Sequence, residues 1–287
     1  MKRQSIIALI LLATATSANA ITLNEISKTW HEAKTLINKT QAEPVKSDAP
    51  PAKILKKTAA SVDLDYGFYQ VNYSCTHRGY NYLHYVTVPD TGYFVREEKF
   101  ELEPALNGTN CPNQKTADAY RQRPGQPLYH RGHGNHQNIW DHDRVMMRLT
   151  NRMTNVVPQN GVQNTDGLWR ELEKRVECAR DLTTVEVYLG NEWGNDTSND
   201  YFVKSHGVTT PDYLWRVHTY KSHPGLAFAW LIPNDPQAGP RDDLAYRISL
   251  NELRRITADD YPWPIPPQWQ DAGNMVDPYT KRHCSLK

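Results

Sequence analysis

Tyr129-His130-Arg131-Gly132-His133-Gly134-Asn135-His136, followed a short way downstream by Thr154-Asn155-Val156-Val157-Pro158-Gln159, is the stretch on which the reading of this chain turns. An arginine and a histidine separated by one glycine set a planar, permanently charged fork beside the side chain that takes a proton near neutral pH. Cutting a phosphodiester needs that pair: water must give up a proton in line with the leaving oxygen, and the phosphorus must be relieved of charge as it becomes pentavalent. His133 is the candidate general base, because an imidazole with an ordinary pKa near 6.5 is largely neutral at physiological pH and a positioned base contributes about 10²- to 10⁴-fold. Arg131 reads as the phosphate clamp, since its fork meets two phosphate oxygens at once. Gly132 reads as a turn that lets both side chains face one phosphate; a plain strand-end glycine is the alternative. His130, His133 and His136 also form a His-x-x-His-x-x-His series of the kind that binds zinc or copper.

Outward from this stretch, Thr165 to about Arg180 predicts a helix, with Trp169, Leu172, Val176 and Ala179 on one face. A shorter helix is expected from Leu250 to Ile256. Strands are expected at Phe68–Tyr73, Tyr82–Val88, Thr184–Leu189, Tyr213–Tyr220 and Ala227–Ile232, all rich in β-branched and aromatic residues. Strands and helices mix with long loops and without regular βαβ alternation, so the fold class is α+β.

The first twenty residues differ in kind. Lys2 and Arg3 precede an apolar run, Ile6 to Ala15, and Ala18-Asn19-Ala20 fits small-x-small cleavage, so residues 1–20 are expected to be a signal peptide and the mature chain to begin at Ile21. The run is too short to span a bilayer, so no membrane attachment is expected after cleavage, and the destination is the periplasm or the medium. Residues 21–61 read as an amphipathic helix (Leu23, Ile26, Trp30, Ala33, Ile37) and then a linker rich in Pro, Ala and Lys from Thr40 to Ser61; the remaining residues, 62–287, form the functional domain. Loss of the signal changes 33 basic against 32 acidic residues to 31 against 32, which excludes a globally basic nucleic-acid coat and requires any phosphate-binding cations to gather locally. Four cysteines in an exported chain, with no Cys-x-x-Cys pair, point to two disulfides. Of three possible connectivities the expected one is Cys75–Cys111, a local loop, with Cys178–Cys284, which ties the helix to the C-terminal tail.

Taken in order, Arg131-Gly132-His133, Asn155-x-x-Pro158-Gln159 and Trp169-Arg170-Glu171-Leu172-Glu173 resemble the DNA/RNA non-specific endonucleases, the ββα-metal family of the Serratia-type secreted nuclease and mitochondrial endonuclease G. The likeness runs from about Tyr73 to Tyr261. It includes Arg96 with Phe100 and Glu103-Pro104, Pro211 with Trp215-Arg216-Val217, Ile232-Pro233-Asn234, and the segment from Ser249 to Thr257. The resemblance implies a central antiparallel sheet flanked by helices, with a ββα finger that holds one metal. It implies Mg²⁺, with Mn²⁺ able to substitute, on an asparagine oxygen, and cleavage of DNA and RNA to 5′-phosphate ends through contacts to the phosphate backbone. His133, Arg131 and Glu173 then carry the catalysis, Glu173 by holding a metal-bound water. Arg96, Arg131, Asn155 and Gln159 contact substrate, Arg180 stands in for a family arginine lost at Glu177, and Asn164 is the metal ligand. The interval from Asn164 to Trp169 is one residue longer than in the family, which leaves Thr165 as the rival ligand if register is kept from the helix. His130 stands where most relatives carry Asp. Two other readings stay open: a zinc hydrolase or metal-binding protein built on the three histidines, and a nucleic-acid-binding relative without activity.

Overall fold

Tyr69-Gln70-Val71-Asn72-Tyr73-Ser74 buries Tyr69, Val71 and Tyr73 and turns Gln70 and Asn72 outward, the period-two pattern of a strand packed on one face. In the computed structural model this segment is β3. It stands in an eight-stranded sheet with β1 (Lys53–Lys57), β2 (Ser61–Asp65), β4 (Tyr80–Val86), β7 (Val185–Glu192), β8 (Tyr213–Tyr220), β9 (Leu226–Pro233) and β10 (Gln270–Asp271). The order is β1-β2-β3-β4-β7-β8-β9-β10, antiparallel throughout except for β10, which runs parallel to β9. The structure describes residues 49–280 apart from 93, 123, 242, 259–262, 264, 265 and 267. They all lie in the compact unit Ser47–Lys287. The expected signal peptide, the expected helix over 21–38 and Cys284 fall outside the described residues.

The connection from β4 to β7 carries everything that distinguishes the chain. It contains β5 (Tyr129–His133) and β6 (Val156–Asn160), paired antiparallel as a separate two-stranded sheet, and the helices α1 (Arg144–Thr150), α2 (Gly161–Thr165) and α3 (Leu168–Ala179). A last helix, α4 (Leu250–Thr257), follows β9, and its N-cap Ser249 accepts from the Glu252 amide. Asp143 caps α1 in the same way. The α+β architecture is thus as the resemblance implied.

The core lies between the main sheet and α3. Val62, Leu64, Val71, Leu83, Val187 and Leu189 are buried with Trp169, Leu172 and Val176. A smaller cluster of Tyr120, Tyr129, Met153, Val156, Phe202 and Val208 packs around the hairpin strands. Each buried apolar side chain contributes roughly 1.5–3 kcal/mol relative to exposure, so the large cluster dominates stability and the small one holds the hairpin in place.

Boundaries differ from the sequence reading at several places, most at β1 and at the helix expected from Thr165. β1 falls inside the stretch read as linker: all five of its residues are exposed, so Lys53-Ile54-Leu55-Lys56-Lys57 has no apolar alternation to betray it. Its pairing with β2 and the Ala52 amide donated to the buried carboxylate of Glu103 (3.0 Å) tie the segment to the sheet. The helix expected from Thr165 begins at Leu168 as α3, and Thr165 instead ends the unexpected α2, with Asp166 and Gly167 between them. Cys75 and Cys111 form a disulfide, as expected. Cys178 is also disulfide-bonded. Among the described residues no helix is long and apolar enough to cross a membrane.

Candidate active site

Because β5 is a strand, alternation puts Tyr129, Arg131 and His133 on one face and His130 and Gly132 on the other. Arg131 and His133 therefore face the same way with no turn between them, and Gly132 is needed for another reason. It lies against β6, where a Cβ would come within 2.3 Å of the Gln159 Cβ and 2.4 Å of its Oε1. On the first face the Arg131 guanidinium stacks 3.7 Å above the Phe100 ring and donates to the Ala117 carbonyl at 3.0 Å. The His133 ring centroid is 5.2 Å from that of Phe100.

His133 is buried, and its Nε2 lies 2.8 Å from Oδ1 of Asn151. Asn151 cannot turn its amide round, since its Nδ2 donates to two carbonyls, Glu97 at 2.9 Å and Lys99 at 3.0 Å. Its oxygen must then face His133, so Nε2 carries the proton and Nδ1 keeps its lone pair, with no partner among the described residues. Burial pushes the imidazole down to about 3; the Asn151 bond opposes that shift, and the charges of Arg96, His136 and Arg131 add to it. Arg96 is exposed on the loop before Phe100.

On the other face His130 meets α2. Asn164 Nδ2 lies 3.1 Å from His130 Nδ1, and because an amide nitrogen can only donate, the ring accepts from the amide. Asn164 Oδ1 has no hydrogen-bond donor among the described residues. The Thr165 hydroxyl is already engaged, with the Gly161 carbonyl at 2.9 Å and Asp166 Oδ2 at 2.7 Å, and it caps no helix: the N-cap of α3 is Gly167, without a side-chain bond. Gln159, opposite His130 in the hairpin register, is 1% exposed, and neither of its amide atoms has a partner. Asn155 is fully engaged: its Oδ1 accepts from the Asn135 amide and its Nδ2 donates to the carbonyls of Asn135 and Thr150. It clamps the loop that follows His133.

Glu173, on α3, is buried rather than solvated, and its Oε2 accepts from Arg170 at 3.0 Å. The same Arg170 nitrogen reaches Glu177 Oε1 at 3.0 Å. Burial would raise the Glu177 carboxyl, but His136 and Arg170 outweigh it and hold it at about 2. His136 Nε2 lies 3.2 Å from Glu177 Oε1, without the alignment of a hydrogen bond. Arg180 does not return to this face, contrary to the sequence reading. It is buried at the end of α3, bonded to the Ile139 carbonyl and paired with Asp90 at 2.9 Å and Asp141 at 3.5 Å. The cation beside Glu173 comes from Arg170, one turn before it.

A family model described as DNA/RNA non-specific endonuclease matches residues 51–262. The chain belongs to that family. It is a metal-dependent nuclease that hydrolyses phosphodiesters, with DNA and RNA as the family's substrates. A solved structure, the EndoG/EndoGI complex described for the mechanism of EndoG inhibition, is 19% identical, with 67% of this chain and 82% of that chain covered and a TM-score of 0.48. No curated protein matches.

Within this endonuclease the zinc reading of the three histidines finds no support. His130 turns to Asn164, His133 to Asn151 and His136 to Glu177, and among the described residues no group of three His, Cys, Asp or Glu side chains is placed to hold a metal. Neutral oxygens fit a hard divalent cation better, and the unpartnered Asn164 Oδ1 is one. Asn151 and Arg170 escaped the sequence reading. An asparagine between Thr150 and Arg152 carries no local signal, and Arg170 is one charge in a run of charges.

Proposed function

We propose that this chain is an exported, Mg²⁺-dependent endonuclease that cuts DNA and RNA without base preference and leaves 5′-phosphate ends, with His133 as general base. The observation that carries the reading is the Asn151–His133 bond, because an anchored amide oxygen that accepts from Nε2 leaves Nδ1 as a base with a defined direction. His133 takes the proton of the attacking water at Nδ1. Arg131, stiffened on Phe100, and Arg96 meet the scissile phosphate, whose negative charge offsets the smaller, cationic part of the depression of His133 that burial chiefly causes. Asn164 would hold the Mg²⁺, or Mn²⁺ in its place, through Oδ1. The bound cation supplies charge compensation for the pentavalent phosphorus and the departing 3′-oxygen. Glu173, with Oε2 on Arg170, offers its other oxygen to an ordered water. Contacts are to phosphates, so every sequence is a substrate. Export is supported by the signal-like residues 1–20 together with the Cys75–Cys111 disulfide.

Plasmid nicking and RNA degradation, each with Mg²⁺ and with chelator, test the reading alongside His133→Ala. Cleavage of both nucleic acids should need the metal, and the substitution should lower both rates at least about 10²-fold with the fold intact by circular dichroism. Near-full activity of the variant would remove His133 as base, and a folded wild type that binds but never nicks would make the chain an inactive relative.

A further inference from the structure

An asparagine amide has two ends of nearly equal size and opposite character, and only the oxygen end suits a cation. Asn164 lies on α2, a five-residue helix, and its one hydrogen bond among the described residues is the 3.1 Å contact of Nδ2 with His130 Nδ1. No other contact among the described residues distinguishes its two orientations. His130 is itself fixed by β5, whose pairing with β6 sets it opposite Gln159. Gln159, on β6, is buried against Gly132 of β5, and its amide atoms have no partner among the described residues.

We propose that His130 is a positioning residue for the metal site: by accepting from Asn164 Nδ2 it turns Oδ1 toward the cation. This rests on the reading of Asn164 as the ligand. An amide nitrogen can only donate, so in the 3.1 Å contact Nδ1 is the acceptor, and it holds the NH₂ end and leaves the oxygen free. With an apolar side chain at 130 the amide loses that preference and presents nitrogen as readily as oxygen. A neighbour that supplies an acceptor without changing the charge restores it.

Binding of Mn²⁺ by the mature protein without nucleic acid, followed by electron paramagnetic resonance, tests this apart from turnover. Asn164→Ala should lose affinity by more than about 10-fold. If it binds as wild type does, the assignment of the ligand is what failed. Given that loss, His130→Leu should weaken binding about 10- to 10²-fold, the usual cost of removing a residue that orients a ligand. His130→Gln, which can accept through Oε1 and is equally neutral, should stay within about threefold of wild type. Unchanged binding in His130→Leu, or a loss in His130→Gln as large as in His130→Leu, overturns the proposal. Thermal melting reports whether the hairpin tolerates the leucine. Should it not, wild-type protein decides: nuclear Overhauser contacts between the Asn164 Nδ2 protons and the His130 ring should persist when Mg²⁺ is added, and their disappearance overturns the proposal equally.

Discussion

Asn151 shows how much a single anchored amide decides. Two bonds donated by Nδ2 to the carbonyls of Glu97 and Lys99 fix which end faces His133, and Gln137 Nε2 donates to the same Oδ1 that His133 meets. The consequence is a histidine with one defined tautomer, in a pocket where burial keeps it unprotonated. Asn151→Ala should therefore lower kcat about 10- to 10²-fold while KM stays within about twofold, because the clamp formed by Arg131 and Phe100 is untouched. Steady-state kinetics on a short duplex checks this; a rise in KM at constant kcat would make Asn151 a binding residue instead. The charge exchange on α3 follows the same logic. Glutamate at 177 cannot serve as a cation, and Arg170 reaches Glu173 one turn on and Glu177 two turns on.

At the scale of elements, the hairpin is held by close contact rather than by area. β5 and β6 pair only with each other, so both are edges, which is why Pro158 is tolerated in β6. Gly132 lets β5 approach Gln159, and a methyl group there has nowhere to go. Gly132→Ala should cost about 1–3 kcal/mol, the range for overpacking, and lower activity as well, because the displaced side chain lies beside His130. Urea denaturation and a nicking assay on the same preparation measure both effects, and an alanine variant equal to wild type in both would remove this account of the glycine. The long loop before β5 is tied at Cys111 to the end of β3 at Cys75. The double substitution Cys75→Ser and Cys111→Ser should lower unfolding stability by about 2–4 kcal/mol in guanidinium titrations, and a loss below about 1 kcal/mol would show that the loop is held without it.

The whole molecule feels the buried histidines through pH. His133 is depressed to about 3 by burial, and His218, buried beside Arg216, is pushed in the same direction. Unfolded, each binds a proton below about pH 6.5; folded, His133 refuses it until about pH 3. The unfolded state thus binds more protons in that window, and stability falls as pH drops from about 6.5 toward 3. Denaturant midpoints between pH 7 and pH 4.5 should fall more steeply for wild type than for His133→Ala, by up to about 1.4 kcal/mol per pH unit below about 6. Parallel slopes would mean that His133 does not remain neutral in the folded protein. Asp277, raised by burial, pulls the other way, so the comparison of the two proteins carries the test rather than the absolute slope.

What the sequence alone determined is local. Arg131, Gly132 and His133 stand together in the chain, so their chemistry was visible without a fold, and β8 was delimited residue for residue because eight consecutive residues favour a strand. The burial of Trp169, Leu172, Val176 and Ala179 followed from helical spacing. What tertiary structure decided is every feature that depends on who the neighbour is. Asn151 meets His133 across 18 positions, Asn164 meets His130 across 34, and Arg180 finds Asp90 and Asp141 instead of the cleft. β1 is a strand because β2 offers its edge, not because Lys53-Ile54-Leu55-Lys56-Lys57 prefers to be one. Hydrogen bonds and ion pairs are short-ranged and directional, so a residue's propensity carries no record of its partner. Only the closing of the sheet around α3 and the hairpin brings those partners within reach.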